Sequence, residues 1–248
     1  FMKYIFILLS LLFTFSIQSQ IINIPDPNFK NILVNSVYDT NNDDEIDISE
    51  ALNIYALDVT NSNITSLEGI QYFTNLDTLI CDNNNISDLS VLNTFSYFSY
   101  LSCSNNNLTS LDLSNFSSIM YLICSNNQLT SLDISSLQDA SIEQLIANNN
   151  NLITLNLKNG RPDMVFQLNI DNNPNLSYVC VNNNHEAYYN SYFQSPNITL
   201  LGLPVNVVVN SYCNFTPGGN YFTINGTAHF DADSNGCSVL DSGYANFK

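Results

Sequence analysis

The sequence predicts a repeat solenoid. It would have a parallel β-sheet on its concave face, a mostly irregular or extended convex side, a short helical cap before the repeats and a β-rich cap after them. Three observations carry that prediction. A motif returns every 21 to 23 residues, with equivalent leucines at 57, 79, 101, 122, 145 and 168. Inside each copy two apolar residues stand two apart, as Leu79 and Cys81 do, which puts both on one face of a short strand. Asparagine makes up 42 of the 248 residues and returns at the turn of nearly every copy. A net charge of −17 could signal disorder, but a 45% hydrophobic content at regular spacing argues for a packed core.

In chain order, Met2-Lys3 and the apolar run after it, up to Phe15, read as a secretory signal ending at Ser19. The run is too short for a membrane span, which takes about 20 apolar residues. Residues 20–53 then form the N-terminal cap. Within it, Asp39, Asn41, Asp43, Asp47 and Glu50 occupy positions 1, 3, 5, 9 and 12 of an EF-hand-like loop, with Glu45 at position 7 offering its backbone carbonyl. Hard calcium ions take such oxygens, so Ca²⁺ is the expected structural cofactor. Asp44 stands where glycine is usual, and aspartate tolerates positive φ better than most residues. A helix is expected over 28–36, and another starting at Ile48. Ile46, Ile48, Ala51 and Leu52 are placed to cover the apolar edge left by Leu57 and Val59.

Residues 54–181 carry about six repeats. One reads Leu76-x-x-Leu79-x-Cys81-x-x-Asn84-x-Ile86-x-x-Leu89. It returns from Phe98, Ile119 and Ile142, with weaker copies from Ile54 and Phe166. Stacked copies bury both apolar columns between neighbouring strands. Asn84, Asn106, Asn127, Asn150 and Asn173 form a ladder that bonds backbone groups left unpaired by each sharp turn. Ser62 replaces asparagine in the first copy. This pattern resembles the leucine-rich repeat family, with its L-x-x-L-x-L-x-x-N/C-x-L core. It is similar to the secreted bacterial type, internalin-like and adhesin-like, with Cys before the Asn. That resemblance implies a surface binding module.

Cys81, Cys103 and Cys124 share one core column with Ala147, so they are read as small buried thiols; no C-x-x-C or column histidine favours a metal. Residues 182–216 form the C-terminal cap, with Cys180 and Cys213 expected to be paired. Tyr188, Tyr189, Tyr192, Phe193 and Leu200–Leu203 are available to cover the last repeat. Residues 217–248 resemble the start of an immunoglobulin-like β-sandwich domain of bacterial surface proteins. Asp231, Asp233, Asn235 and Asp241 there form a second candidate calcium loop.

Function is bounded mainly by charge. Five Lys and Arg residues against 22 Asp and Glu exclude a nucleic-acid footprint and an anionic lipid surface. No G-x-S-x-G, phosphate-binding loop or H-E-x-x-H occurs, so an enzyme is not expected. The expectation is a secreted or cell-surface module that binds a protein or a glycan. The alternative is a spacer, or the targeting part of a larger hydrolase. The expected ligand face has three columns on the concave sheet: Thr78, Tyr100, Tyr121 and Gln144; Ile80, Ser102, Ile123 and Ile146; Asp82, Ser104, Ser125 and Asn148.

Overall fold

The computed structural model describes residues 19–95, 97–139, 141–211 and 213. The expected signal segment, up to residue 18, and the tail with the expected second calcium loop, Asp231, Asp233, Asn235 and Asp241, lie outside the described residues.

Helix α1 (Pro27–Val34) opens with proline at its first turn, where a missing N–H costs nothing. Asp26 caps it, accepting from the N–H groups of Asn28 and Phe29 at 2.9 and 3.0 Å. Its second oxygen accepts from the N–H of Thr65 at 2.8 Å, the Thr65 hydroxyl at 2.7 Å and the N–H of Ser66 at 3.1 Å. One carboxylate thus ties the cap to the first repeat. Burial pushes the Asp26 pKa up, but the hydrogen bonds from Thr65, Phe29 and Ser66 outweigh it and hold the group below its ordinary 3.8. A lowered carboxylate pKa contributes stability above the unfolded value, lost as pH falls through the folded one. Asp26→Ala is therefore expected to cost about 2 kcal/mol at neutral pH, with the deficit shrinking below pH 3.8 in urea titrations.

Helix α2 (Ile48–Ala51) is one turn long and closed by a capping box between Asp47 and Glu50. Ile46 and Ala51 are buried as the sequence implied, and Ile48 packs beside them. Leu52 does not join them and is exposed. Its place is taken by Ile22 and Ile24, which the 20–24 segment brings in through Ile22 N–H to Ile46 O, 2.8 Å, and Ile48 N–H to Gln20 O, 3.0 Å.

Among the described residues ten strands of three residues follow: β1 (Ala56–Asp58), β2 (Thr78–Ile80), β3 (Tyr100–Ser102), β4 (Tyr121–Ile123), β5 (Ser131–Asp133), β6 (Gln144–Ile146), β7 (Thr154–Asn156), β8 (Gln167–Asn169), β9 (Tyr178–Cys180) and β10 (Val208–Asn210). The parallel concave sheet has the order β1-β2-β3-β4-β6-β8. Its register sets Leu57, Leu79, Leu101, Leu122, Leu145 and Leu168 side by side. Cys81, Cys103, Cys124 and Ala147 form the next buried column, and Phe98 packs edge-on against Phe95 at 5.6 Å.

The convex side changes along the chain. Early repeats space apolar residues three apart (Leu67, Ile70, Phe73; Leu89, Leu92, Phe95) and form 3₁₀ turns at Ile70–Tyr72 and Ser90–Thr94. Later repeats space them two apart (Leu132 and Ile134; Leu155 and Leu157; Val179 and Val181). They build a second parallel sheet, order β10-β9-β7-β5. The extended convex chain is thus more regular than expected.

The C-terminal cap is mainly helical rather than β-rich. Helix α3 (Glu186–Phe193) buries Tyr189 and Phe193, four apart on one face, and β10 adds a single strand. Ile198, Leu203 and Val209 complete the cover, while Tyr188 and Leu200 point to solvent.

Candidate functional site

The expected ligand face divides in two. Tyr100 and Tyr121 sit in register on β3 and β4, half-buried, with ring centroids 5.6 Å apart and planes at 30°. Ile80, Ile123 and Ile146 lie in the adjacent column, each only partly covered. Thr78 flanks the pair on one side. Gln144 flanks it on the other and donates to Gln167 at 2.7 Å. These residues keep part of their surface exposed.

Ser102, Ser104 and Ser125 are corrected: they are buried and spend their groups on the sheet itself. The Ser102 hydroxyl donates to the Asp82 carboxylate at 2.8 Å, and Ser104 N–H to the same group at 2.6 Å. Ser125 N–H donates to Ser104 Oγ at 3.2 Å, and its hydroxyl donates to Asn148 Oδ1 at 2.7 Å. A short polar side chain at a strand end satisfies the neighbouring repeat more readily than it reaches out.

A row missed by sequence reasoning borders the face. Tyr55, Asp77, Ser99, Met120, Glu143 and Phe166 each stand two residues before a column leucine. Of these, Tyr55 is 62% and Phe166 87% exposed, with Met120 also exposed. Met120 directly precedes Tyr121, and the exposed rings of Tyr55 and Phe166 stand at the two ends of the row, two strands from the tyrosine pair, where they add apolar surface. The signal was present in the repeat register, but the alternation rule assigns that position to neither face.

The acidic loop turns sharply where Asp44 has φ +63°. Asp39 accepts from the N–H groups of Asp43 and Asp44 at 3.3 and 3.1 Å, Asn41 from Asp43 at 2.9 Å, and Asp43 from Glu45 at 3.0 Å. Those oxygens and that turn fit a calcium loop in kind. Glu50 does not offer its two oxygens: one accepts from Thr40 N–H at 2.7 Å, Thr40 Oγ1 at 2.9 Å and Asn41 N–H at 3.3 Å, the other from Asp47 N–H at 3.0 Å. Asp47 caps α2, and the Glu45 side chain pairs with Lys30 at 2.6 Å. Among the described residues no three His, Cys, Asp or Glu gather closely enough to hold a metal.

Cys180 and Cys213 are disulfide-bonded, with Cα atoms 5.3 Å apart. Cys81, Cys103 and Cys124 are free and buried. Burial pushes all three thiols up, Cys124 to about 12, so they remain protonated and poor nucleophiles. No helix among the described residues is long and apolar enough to cross a membrane.

Neither a protein-family model nor a curated protein sequence matches the chain. Solved structures do. The functional domain of InlJ from Listeria monocytogenes, which includes a cysteine ladder, aligns over 66% of this chain and 38% of its own, with 27% identity and a TM-score of 0.51. The fold is that of the internalin leucine-rich repeats. Two further internalins of Listeria monocytogenes also match. One, inlF, is 20% identical over 74% of this chain and 57% of its own, with a TM-score of 0.47. The other, internalin C2, is 21% identical over 75% and 93%, with a TM-score of 0.42.

Proposed function

We propose that this chain is a non-catalytic binding module of an exported or cell-surface protein, and that it presents its concave sheet and rim to a protein partner. The observation that carries the reading is the stacked Tyr100–Tyr121 pair, with the partly covered Ile80, Ile123 and Ile146 in the adjacent column and the exposed Tyr55, Met120 and Phe166 in the row before the strands. Aromatic rings that bring large contact area at small entropy cost are the usual anchors of protein interfaces. The InlJ likeness supports such a module in kind, although this chain spans only 38% of that one. The apolar start of the sequence supports export.

The test is a protein display library panned against the intact chain. Tyr100→Ala with Tyr121→Ala should weaken the selected binders about tenfold or more without lowering the melting temperature by more than a few degrees. Asp112→Asn with Asp133→Asn, on the convex side, should leave them unchanged. Binders indifferent to the tyrosine pair would refute the placement and favour a spacer.

We also propose that Ca²⁺ stabilises the N-terminal cap through Asp39, Asn41 and Asp43, competing with the N–H groups of Thr40 and Asn41 for Glu50. The ion would supply positive charge to a loop that carries Asp39, Asp43, Asp47 and Glu50 in its sequence. Millimolar calcium is then expected to raise the melting temperature by a few degrees over an EDTA control, as linkage requires for weak extracellular-type sites. Asp43→Asn should abolish the shift while keeping the amide acceptor that closes the turn. Glu50→Gln cannot isolate the metal, because Glu50 also clamps the loop without it. Identical curves with and without calcium would leave the loop self-capped.

A further inference from the structure

Resting on the reading that the concave sheet is the binding surface, we propose that its partner presents a cationic segment, with arginine or lysine side chains laid across the tyrosine pair. Two sets of observations combine. The face offers stacked rings and half-covered isoleucines, and its surroundings carry one sign of charge. Asp58, Asp82 and Asp171 stand in the sheet columns, and Asp77 and Glu143 on the rim. No lysine, arginine or histidine occupies any column or rim position. The cations among the described residues lie elsewhere and are engaged. Lys30 pairs with Glu45 at 2.6 Å, Lys158 donates to the Ser211 carbonyl at 2.7 Å, and Arg161 donates to the Gln138 carbonyl at 3.2 Å and to Asp163 at 3.3 Å.

The chemistry of such a partner follows from the residues. A guanidinium lies flat on a tyrosine ring and is attracted by its negative face. Its remaining N–H groups reach carboxylates in paired hydrogen bonds. The methylene stem of lysine or arginine covers apolar surface, here that of Ile80, Ile123 and Ile146. Burial, and then the charge of Asp82, push the Tyr100 phenol up, so the carboxylate's field reaches that ring. An anionic partner would meet the acidic rim with like charge, which favours one class of ligand over the other.

The chain's net charge of −17 would attract any polycation loosely, so the experiment compares faces rather than charge totals. The probe is a labelled peptide of alternating arginine and serine, with an aspartate–serine peptide as control, titrated into the full chain by fluorescence anisotropy. Asp77→Asn with Glu143→Gln on the rim is expected to weaken the arginine peptide about tenfold, and so is Tyr100→Ala with Tyr121→Ala. Asp112→Asn with Asp133→Asn removes the same charge from the convex side and should change the affinity less than twofold. Added salt should weaken the complex, since exposed charges beyond a Debye length of about 8–10 Å are screened. Equal losses from rim and convex variants would mean attraction to bulk charge and overturn the proposal, as would no binding at all. Library binders that need Tyr100 and Tyr121 yet lack basic residues would overturn this inference alone and leave the binding face standing.

Discussion

Asn127→Ala is expected to be among the most damaging single substitutions in the repeats, costing about 3–5 kcal/mol in urea titrations. The side chain is buried and works in both directions. Its Oδ1 accepts from Leu108 N–H at 3.0 Å, and its Nδ2 donates to the carbonyls of Cys103, Cys124 and Ser125 at 3.0, 3.2 and 3.2 Å. Leu108 belongs to the preceding repeat, so the loss falls on two units at once. The substitution strands the buried Leu108 N–H, at about 1–3 kcal/mol, and takes one bond from each of three carbonyls, at about 0.5–1.5 kcal/mol apiece, because Cys103 O keeps Asn106 Nδ2, Cys124 O keeps Asn150 Nδ2 and Ser125 O keeps Asn105 N–H. Asn127→Asp should be no milder, because it keeps the acceptor but faces a carboxylate with three carbonyls. Neighbouring Asn126 does a different job: it holds φ +53°, and Asn126→Gly should be nearly neutral. A loss of under about 1 kcal/mol for Asn127→Ala would mean that water replaces the amide and that the ladder is not structural.

That division of labour marks what the sequence could and could not tell. Periodicity found the column leucines because a strand's alternation is local and the repeat supplies copies of it. It found one asparagine per turn for the same reason. It missed the second, the residue just before each ladder asparagine. Asn83, Asn105, Asn126, Asn149 and Asn172 all have positive φ, between 53° and 56°. Left-handed backbone leaves no mark in hydropathy, so the doubled Asn-Asn was read as one function when it is two. Ser62 departs from the ladder at an end of the array, where the sequence reading allows it. No earlier repeat lies beneath it, so its hydroxyl needs to reach only the Thr60 carbonyl, at 2.9 Å.

The candidate face was half legible. Alternation put Tyr100, Tyr121 and the isoleucines outward, and each is partly exposed. It failed at Ser102, Ser104 and Ser125, where small polar groups bond across strands rather than to solvent. The rim residues Tyr55, Met120 and Phe166 fall outside the strands, where alternation assigns no direction. Cap composition was the least legible, because covering an apolar end requires only area. The 20–24 segment met that need with Ile22 and Ile24, leaving Leu52 free.

Breaking the Cys180–Cys213 bond is expected to cost about 3–4 kcal/mol and to loosen the C-terminal cap before the repeats. The bond closes a loop of 33 residues, and the chain-entropy model gives that magnitude for such a length. The loop contains α3, whose Tyr189 and Phe193 cover the last repeats. It also holds β10 in register with β9, Val209 opposite Val179. With the bond gone, the cap must hold by this burial, one parallel strand pairing and a few hydrogen bonds such as Lys158 Nζ to Ser211 O and Asn172 N–H to Leu201 O, both 2.7 Å. Both are modest beside the freedom the chain regains. Cys180→Ala with Cys213→Ala should therefore show two urea transitions where the parent shows one, and early proteolysis between residues 182 and 208. The free thiols give an internal control. Cys81, Cys103 and Cys124 are buried within the array, so a thiol reagent should label none of them when the cap opens and all three only when the repeats unfold. Labelling of Cys180 in the untreated native protein would remove the basis of this prediction. So would a double variant that unfolds in one step at the parent's midpoint, which would mean that packing alone holds the cap.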